Sequence, residues 1–476
     1  MSDVRYYVRP RAATVAALLL AASAALATPP DYTDGDYVFA ICSEYDYSAG
    51  TFSLLDMNPP WPHDNNYGTL HGDATGCAYQ GLIYVVERWG ADNIRVIDPA
   101  LDFATVRQFS VGANPQEICF VSPTRAFVTR YDDTDLWEVN PLTGEHTDTI
   151  DLSPLADADG IPEMQGMAIH DGRLFVTVQR LDRDGAWQPV PPSYLAVIDL
   201  ADNTLLDMDP GTPGIQGVAL TGTCPASGIV VDPVRGDFLV GQTGTYGAQD
   251  GGIERLDPAT LQSRGWVVTE STLGGNLNVW ATGDGVEGFA VVLSPEWITR
   301  VVAFSLLSGQ GLGTVATASE YAYTHLLVDP PRQQLFVCDR TYANPGIRIY
   351  RTTDHAPLTP SPIPVGLYPF WLVGMHGPES VAVEDGPPAV GPRLALSPRP
   401  ATGRLTVRFS LAAAGEVDLG LFDAAGRCVA TLARGWRGPG EQRLTWDGGR
   451  ALPSGTYFAR LRTPAGTRWE RLPILR

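Results

Sequence analysis

The chain has 476 residues and a net charge of −20, from 53 acids against 33 basic residues that are all arginine. The imbalance sits in residues 28–390, which hold 46 acids and 16 Arg, whereas residues 391–476 hold 14 Arg and 6 acids. A body this acidic lacks the basic patches that nucleic acid or an anionic membrane requires, and the length allows two or three domains with sizeable cores.

The first elements in chain order form a leader. Arg5, Arg9 and Arg11 precede an apolar run over 12–20, and small residues then lead to Ala25-Leu26-Ala27. This is the order of a secretory signal peptide, with cleavage expected after Ala27. The run is shorter than the ~20 residues a membrane span needs, and no later stretch is apolar enough to cross a bilayer. The expectation is an exported protein, secreted or at the cell surface, without a membrane span. Six Cys follow the leader with no close Cys-x-x-Cys pair. Small core thiols and one or more disulfides are both open readings.

Between the leader and residue 378 a repeat dominates. "GLIYVVERWGADNIRVIDPALD" (81–102) is echoed by "TRAFVTRYDDTDLWEVNPLTGE" (124–145), by 172–203, by 236–261 and by "QQLFVCDRTYANPGIRIYRTTD" (333–354). Each unit has an aromatic-plus-Val strand, a polar loop, and a second strand ending at an Asp or Asn turn. Small-residue apolar strands such as "GCAYQ", "GMAIH", "SGIVVD" and "HLLVD" precede the units. A weaker copy at 274–319 and a first one at 37–56 bring the count to seven units, spaced by roughly 40–55 residues, the length of a four-stranded propeller blade. The first copy lacks its opening strand, and "YPFWLVGM" (368–375) is spare after the last. The spare segment is expected to supply the missing strand, so that both chain ends share one blade.

These rhythms resemble seven-bladed β-propellers of the YVTN-repeat and lactonase-like type. The resemblance covers 37–378 and implies an all-β ring. It does not imply an activity, because propellers host many. The loops entering the inner strands offer His71, Asp73, Gln116, Glu117, Glu163, Gln165, Asn276, Asn278 and His325 to the channel mouth. Of these, Asp73, Glu117, Glu163 and Asn278 could hold Ca²⁺ and polarise a lactone or ester carbonyl. They do not recur at one equivalent position, so no metal or cofactor is the expectation.

The loops between second and third strands carry Arg88 with Trp89, Arg130 with Tyr131, Arg180, Tyr246, and Arg340 with Tyr342. Aromatic faces beside guanidinium groups suit sugar rings, carboxylated ligands or peptides, which makes these eight the candidate ligand-binding residues. Each Arg can equally pair with an Asp of its own loop, such as Asp132, Asp133 or Asp182. "DADG" (157–160) and "DRDG" (182–185) lack the remaining calcium-loop positions and read as turns. A Gly-x-Ser-x-Gly elbow, a His-Glu-x-x-His pair and a phosphate-cradling loop are all missing from the sequence.

A Pro-, Gly- and acid-rich linker is expected over 379–392. Beyond it, Leu405, Val407, Phe409 and Leu411 alternate onto one face, and Val417, Leu419 and Leu421 onto another, as in a small Ig-like sandwich over 393–476. "DLGLFDAAGR", "WDGG…LPSGTYFARL" and "ERLPILR" resemble the Ig-like module of the flagellar hook-capping protein and the C-terminal sorting domains of type IX secretion. That resemblance implies contact with secretion machinery, or attachment. The whole chain is therefore expected to be a non-enzymatic module binding an extracellular ligand or surface protein. The alternative is a lactonase-like or metal-dependent hydrolase working at the channel mouth.

Overall fold

The computed structural model describes residues 32, 35–376, 393–397, 405–411, 415–423, 427–438, 440–446, 448–463 and 466–474. The expected leader and linker lie outside the described residues.

Residues 37–375 build seven antiparallel sheets arranged as the blades of a propeller. The seven inner strands are Ala74–Tyr79, Pro115–Ser122, Met164–His170, Ile229–Val231, Asn276–Thr282, Tyr323–Asp329 and Tyr368–Met375. Each lies beside the next around the ring, and the last returns beside the first. The ring closes as the missing-strand argument requires. Tyr368–Met375 pairs antiparallel with Tyr37–Ser43, with Met375 opposite Tyr37 and Tyr368 opposite Ser43. Blade 1 is thus made by both ends of this region.

Each middle strand is buried on both faces, because neighbouring blades cover it on either side. Successive side chains point to opposite faces of a sheet. In Tyr37–Ser43, Tyr37, Phe39 and Ile41 enter the core shared with blade 2, while Val38, Ala40 and Cys42 enter the core shared with blade 7. The same division makes Leu82–Glu87 buried at all six positions. Seven such interblade cores hold the ring, and no sheet supplies a complete core alone. Truncating a fully buried ring such as Phe39 or Phe336 to Ala would cost about 3–5 kcal/mol.

Two blades depart from the plan. Blade 7 has three strands, and in place of a fourth, Pro357 and Ile363 make single bridges to Tyr350 and Ile347. In blade 4 the outer strand shrinks to Thr204–Leu205, and a two-stranded ribbon, Leu181–Asp182 with Gln188–Pro189, rises from the loop between its second and third strands. All six cysteines are free thiols, two of them fully buried.

The tail folds as two antiparallel sheets around one core. Three strands, Arg393–Ser397, Leu405–Leu411 and Gly440–Trp446, face four, Gly415–Asp423, Cys428–Arg437, Gly455–Thr463 and Gly466–Ile474. Leu405, Val407, Phe409 and Leu411 meet Val417, Leu419 and Leu421 in that core, as the alternation predicts. Tyr457 is buried there too, with its hydroxyl donating to the Pro453 carbonyl at 3.0 Å.

Candidate binding face at the channel mouth

Polar inner-strand residues act first on the ring itself. At the channel wall every boundary but that of blades 4 and 5 is tied by a bond from a side chain to a neighbouring strand or loop. Trp371 Nε1 donates to the Gly76 carbonyl at 2.8 Å, and Thr75 Oγ1 to that of Gln116 at 3.3 Å. Glu117 Oε2 accepts the Met167 N–H at 2.7 Å. Ser227 Oγ donates to the Asn278 carbonyl at 3.0 Å, and Asn278 Nδ2 to the Tyr321 hydroxyl at 3.2 Å. Between blades 4 and 5 the contact is glycine on glycine, and a Cβ on Gly166 would lie 3.1 Å from Gly228 Cα.

The closing boundary uses Thr324 and His325. Thr324 Oγ1 donates to the Phe370 carbonyl at 3.1 Å, and His325 Nδ1 accepts the Leu372 N–H at 3.2 Å. The accepted bond assigns the neutral tautomer with its proton on Nε2. Burial pushes the imidazole pKa down to about 3, and its ring lies on Trp371 with centroids 3.8 Å apart.

Asp73, Glu117, Glu163 and Asn278 therefore stand on four different blades, each already engaged. Asp73 holds Arg88. Glu163 is fully buried, accepting from Arg183 Nε at 2.7 Å and the Leu181 N–H at 2.9 Å, and burial raises its carboxyl to about 7. Among the described residues, no three His, Cys, Asp or Glu side chains gather as a set of metal ligands.

The arginines of the b–c loops, which join second to third strands, turn inward. Arg130 is buried, donates to the Val111 and Asp135 carbonyls, and pairs with Asp133 at 2.8 Å while lying 4.1 Å from the Trp137 ring centroid. Arg88 spans Asp73 and Gln116 Oε1, the latter at 3.2 Å. Arg180 donates to the Pro192 carbonyl at 2.7 Å and rests over Tyr194. Asp182 does not hold Arg180, and Asp132 goes to Arg183 instead.

Arg340 is 3% exposed and donates to Ser43 Oγ at 2.8 Å and the Glu44 carbonyl at 3.2 Å. Tyr47, Phe370, Tyr368 and Tyr45 surround its guanidinium, with centroids 5.1, 5.5, 5.7 and 5.9 Å away. Such cation–π contacts contribute about 0.5–2 kcal/mol each. They fix the loops from beneath and leave these guanidinium groups little freedom to meet a ligand.

The aromatic partners turn outward. Trp89 is 77% exposed, Tyr342 73% and Tyr246 49%. The sequence reading missed Tyr45, Tyr47, Trp187, Trp297 and Tyr321 on the same face, all exposed, and Arg183, which braces the Tyr131 and Trp187 rings. With Tyr131 half-buried, every b–c loop presents an aromatic ring. Two exposed pairs cross blade boundaries. Tyr246 and Trp297 lie 5.8 Å apart, and Tyr45 and Tyr342 6.5 Å apart. Exposed acids, Asp46, Asp250 and Glu296, stand among these loops. Among the described residues, the tight turns of the opposite face expose the aliphatic Leu101, Val234, Val286 and Leu307, and the exposed Tyr67 ring donates its hydroxyl to Asp102 of one such turn. Exposed apolar residues scattered singly are ordinary; rings collected on one face mark an interaction surface.

No family model matches the chain. No curated protein matches it either. Among solved structures, it is similar to a candidate 6-phosphogluconolactonase from Bacteroides fragilis NCTC 9343 at 11% identity and a TM-score of 0.52, covering 73% of this chain and 99% of that one. A protein from Lactobacillus plantarum aligns at 10% identity and a TM-score of 0.51, over 72% of this chain and all of that one. A functionally unknown protein from Desulfotomaculum acetoxidans DSM 771 aligns at 14% identity and a TM-score of 0.46, over 72% and 100%. At such identities the likeness to the first two speaks for the propeller fold, not for an activity.

Proposed function

We propose that this chain is an exported, non-enzymatic binding propeller that receives its ligand on the b–c loop face, with the tail sandwich serving as an Ig-like sorting or attachment module. One observation carries the binding role: each blade contributes an aromatic ring to one face while the arginines beside those rings are spent inside the loops. Tyr and Trp supply large, rigid contact area at low entropic cost, which suits recognition more than chemistry. The leader over 1–27 and the resemblance of 393–476 to sorting domains support export and attachment.

A thermal-shift screen of sugars, peptides and metal ions on the mature chain tests the binding role. A ligand at one hundred times its Kd should stabilise the fold by about 2.7 kcal/mol. The shift should vanish in a Trp89→Ser/Tyr246→Ser/Tyr342→Ser variant whose own melting temperature is unchanged. A shift that persists in the variant, or destabilisation by chelator alone, would move the function away from this face. Deleting 393–476 should abolish surface attachment, and normal localisation of the truncated chain would remove the sorting role.

A further inference from the structure

We propose that the exposed pair of Tyr246 and Trp297, which joins blades 5 and 6, receives the guanidinium of an arginine presented by a protein partner. This rests on the b–c loop face being the binding surface and adds the chemistry of what it takes.

The loops that carry the two rings hold acids and no base. Residues 243–251 read TGTYGAQDG and residues 294–298 read SPEWI, so Asp250 shares its loop with Tyr246 and Glu296 directly precedes Trp297. Both carboxylates are exposed. Asp250 Oδ1 accepts the Thr245 N–H at 2.7 Å, and hydrogen bonding with Ser294 holds the Glu296 carboxyl below its usual range. Among the described residues neither acid has an arginine or histidine as partner. The nearest arginine along the chain, Arg300, donates instead to the Gly274 carbonyl. An anionic ligand would meet like charge here, whereas a cation meets two carboxylates.

Elsewhere in the b–c loops the chain itself shows what such surroundings hold. Arg130 lies 4.1 Å from the Trp137 ring centroid and pairs with Asp133 at 2.8 Å. Arg183 lies 5.0 Å from the Trp187 centroid and pairs with Asp132 at 2.9 Å. In both places a guanidinium takes a ring on its face and a carboxylate at its N–H groups, as its planar fork favours. Tyr246 and Trp297 offer the same combination of ring and acid, and among the described residues no arginine of the chain lies over either ring. The two rings are 49% and 58% exposed, with centroids 5.8 Å apart and planes inclined at 34°. So open a pair suits a flat group approaching from one side, whereas a quaternary ammonium is held by an enclosing cage of rings. It would also leave a small molecule largely in water, since ligand pockets bury most of what they bind. An arginine on a protein surface brings further contact area with it, and Arg against Tyr and Trp is a recurrent anchor of protein interfaces.

Binding of the full chain to a fluorescent peptide of repeated Arg-Gly-Gly units tests this, with lysine and citrulline versions alongside. Citrulline keeps the shape of arginine without its charge. The arginine peptide should bind about tenfold or more tighter than the citrulline peptide, tighter than the lysine peptide, and more weakly as salt rises. Its affinity should fall about tenfold or more in Tyr246→Ala/Trp297→Ala. In Asp250→Asn/Glu296→Gln, which keeps the acceptors that hold the loops, it should fall about two- to fivefold. Asp171→Asn, an exposed acid on the opposite face, should leave it unchanged, which separates this site from the general acidity of the chain. Melting temperatures are measured alongside, and the carboxylate variant carries the test if the ring variant unfolds. Arginine binding undiminished in both double variants, or weakened as much by Asp171→Asn, would overturn the site. Equal binding of the lysine or citrulline peptide would overturn the guanidinium and, where the ring variant abolishes it, leave the face intact. Absence of arginine binding would overturn the proposal as well, and the face itself would then stand or fall by the Trp89→Ser/Tyr246→Ser/Tyr342→Ser screen. Self-association of the full chain that is lost in the ring variant would overturn the separate partner in favour of a second copy.

Discussion

The two ends of the propeller channel are built from the same seven repeats, and where the ring closes they use arginine in opposite ways, although Arg88, Arg130 and Arg183 elsewhere on the loop face also pair with carboxylates. On the turn face, arginines go to carboxylates. Arg255 reaches Asp232 at 2.8 Å and Asp237 at 3.0 Å, and Arg332 holds Asp329 at 2.9 Å and also pairs with Asp36. On the b–c loop face the arginine at the closing boundary, Arg340, goes to oxygen atoms that carry no charge and to rings. Turns such as Gln80-Gly81 and Asp171-Gly172, with positive φ at both residues, admit few side-chain arrangements. The b–c connections run from a few residues up to the ribbon-bearing loop of blade 4, and they are free to carry display residues. One face finishes the fold; the other can vary without disturbing it.

The largest expected effect separates the two arginines that brace the same boundary. Arg340→Met should destabilise the propeller by about 3 kcal/mol or more, because it removes a buried donor set and strands the Glu44 and Tyr368 carbonyls. Arg332→Met on the turn face, part-exposed and paired with carboxylates, should cost about 1–2 kcal/mol and lose much of that difference in high salt. Denaturant midpoints at two ionic strengths measure both. Equal costs, or a salt dependence of the Arg340 variant, would break the contrast.

A smaller effect comes from His325, which belongs to neither face but to the wall between them. Its folded-state pKa lies below the ordinary 6.5, at about 3, so the folded chain binds fewer protons there than the unfolded one. The stability it supports is complete above pH 6.5 and is lost as pH falls from 6.5 towards 3, at roughly 1 kcal/mol per unit once channel water is allowed for. His325→Gln keeps an acceptor for the Leu372 N–H and cannot titrate. The variant should therefore gain stability relative to the wild type as the solution is acidified below pH 6.5, and a constant difference would rule out the buried neutral ring.

The fold was largely legible because a blade's middle strands are buried on both sides, and stretches such as LIYVVE write that burial directly into composition. The closure was legible from what the first unit lacked. The binding face was only half legible, and the reason is the period of the strand. Adjacent residues of an extended chain point opposite ways, so Arg88 beside Trp89 and Arg130 beside Tyr131 cannot both face a ligand. The structure turns the arginine in and leaves Trp89 out, with Tyr131 half-buried. Tyr45, Trp187 and Trp297 escaped notice because no arginine marks them as a neighbour in sequence. Their signal was positional: blades 1, 4 and 6 also carry an aromatic in the same loop. Arg183, which braces Trp187 and binds the buried Glu163, could not be told from a turn residue of "DRDG" without knowing that the two loops meet.

The smallest effect expected is on stability, and it tests the comparison most directly. Trp89, Tyr246 and Tyr342 on the loop face and Val234 and Leu307 on the turn face are all exposed by about half or more. An exposed side chain that closes no cavity and satisfies no buried group contributes within about 0.5 kcal/mol. Serine at any of these five positions should thus leave the melting temperature nearly unchanged, whichever face it lies on. Only the three aromatic substitutions should weaken ligand binding. If Val234→Ser or Leu307→Ser also reduced binding, the ligand would reach round to the turn face, and the division of labour between the two ends of the channel would fail. If instead Trp89→Ser alone were silent, the contact would narrow to blades 5, 6, 7 and 1, where the paired rings stand, with Trp89 of blade 2 beyond its edge.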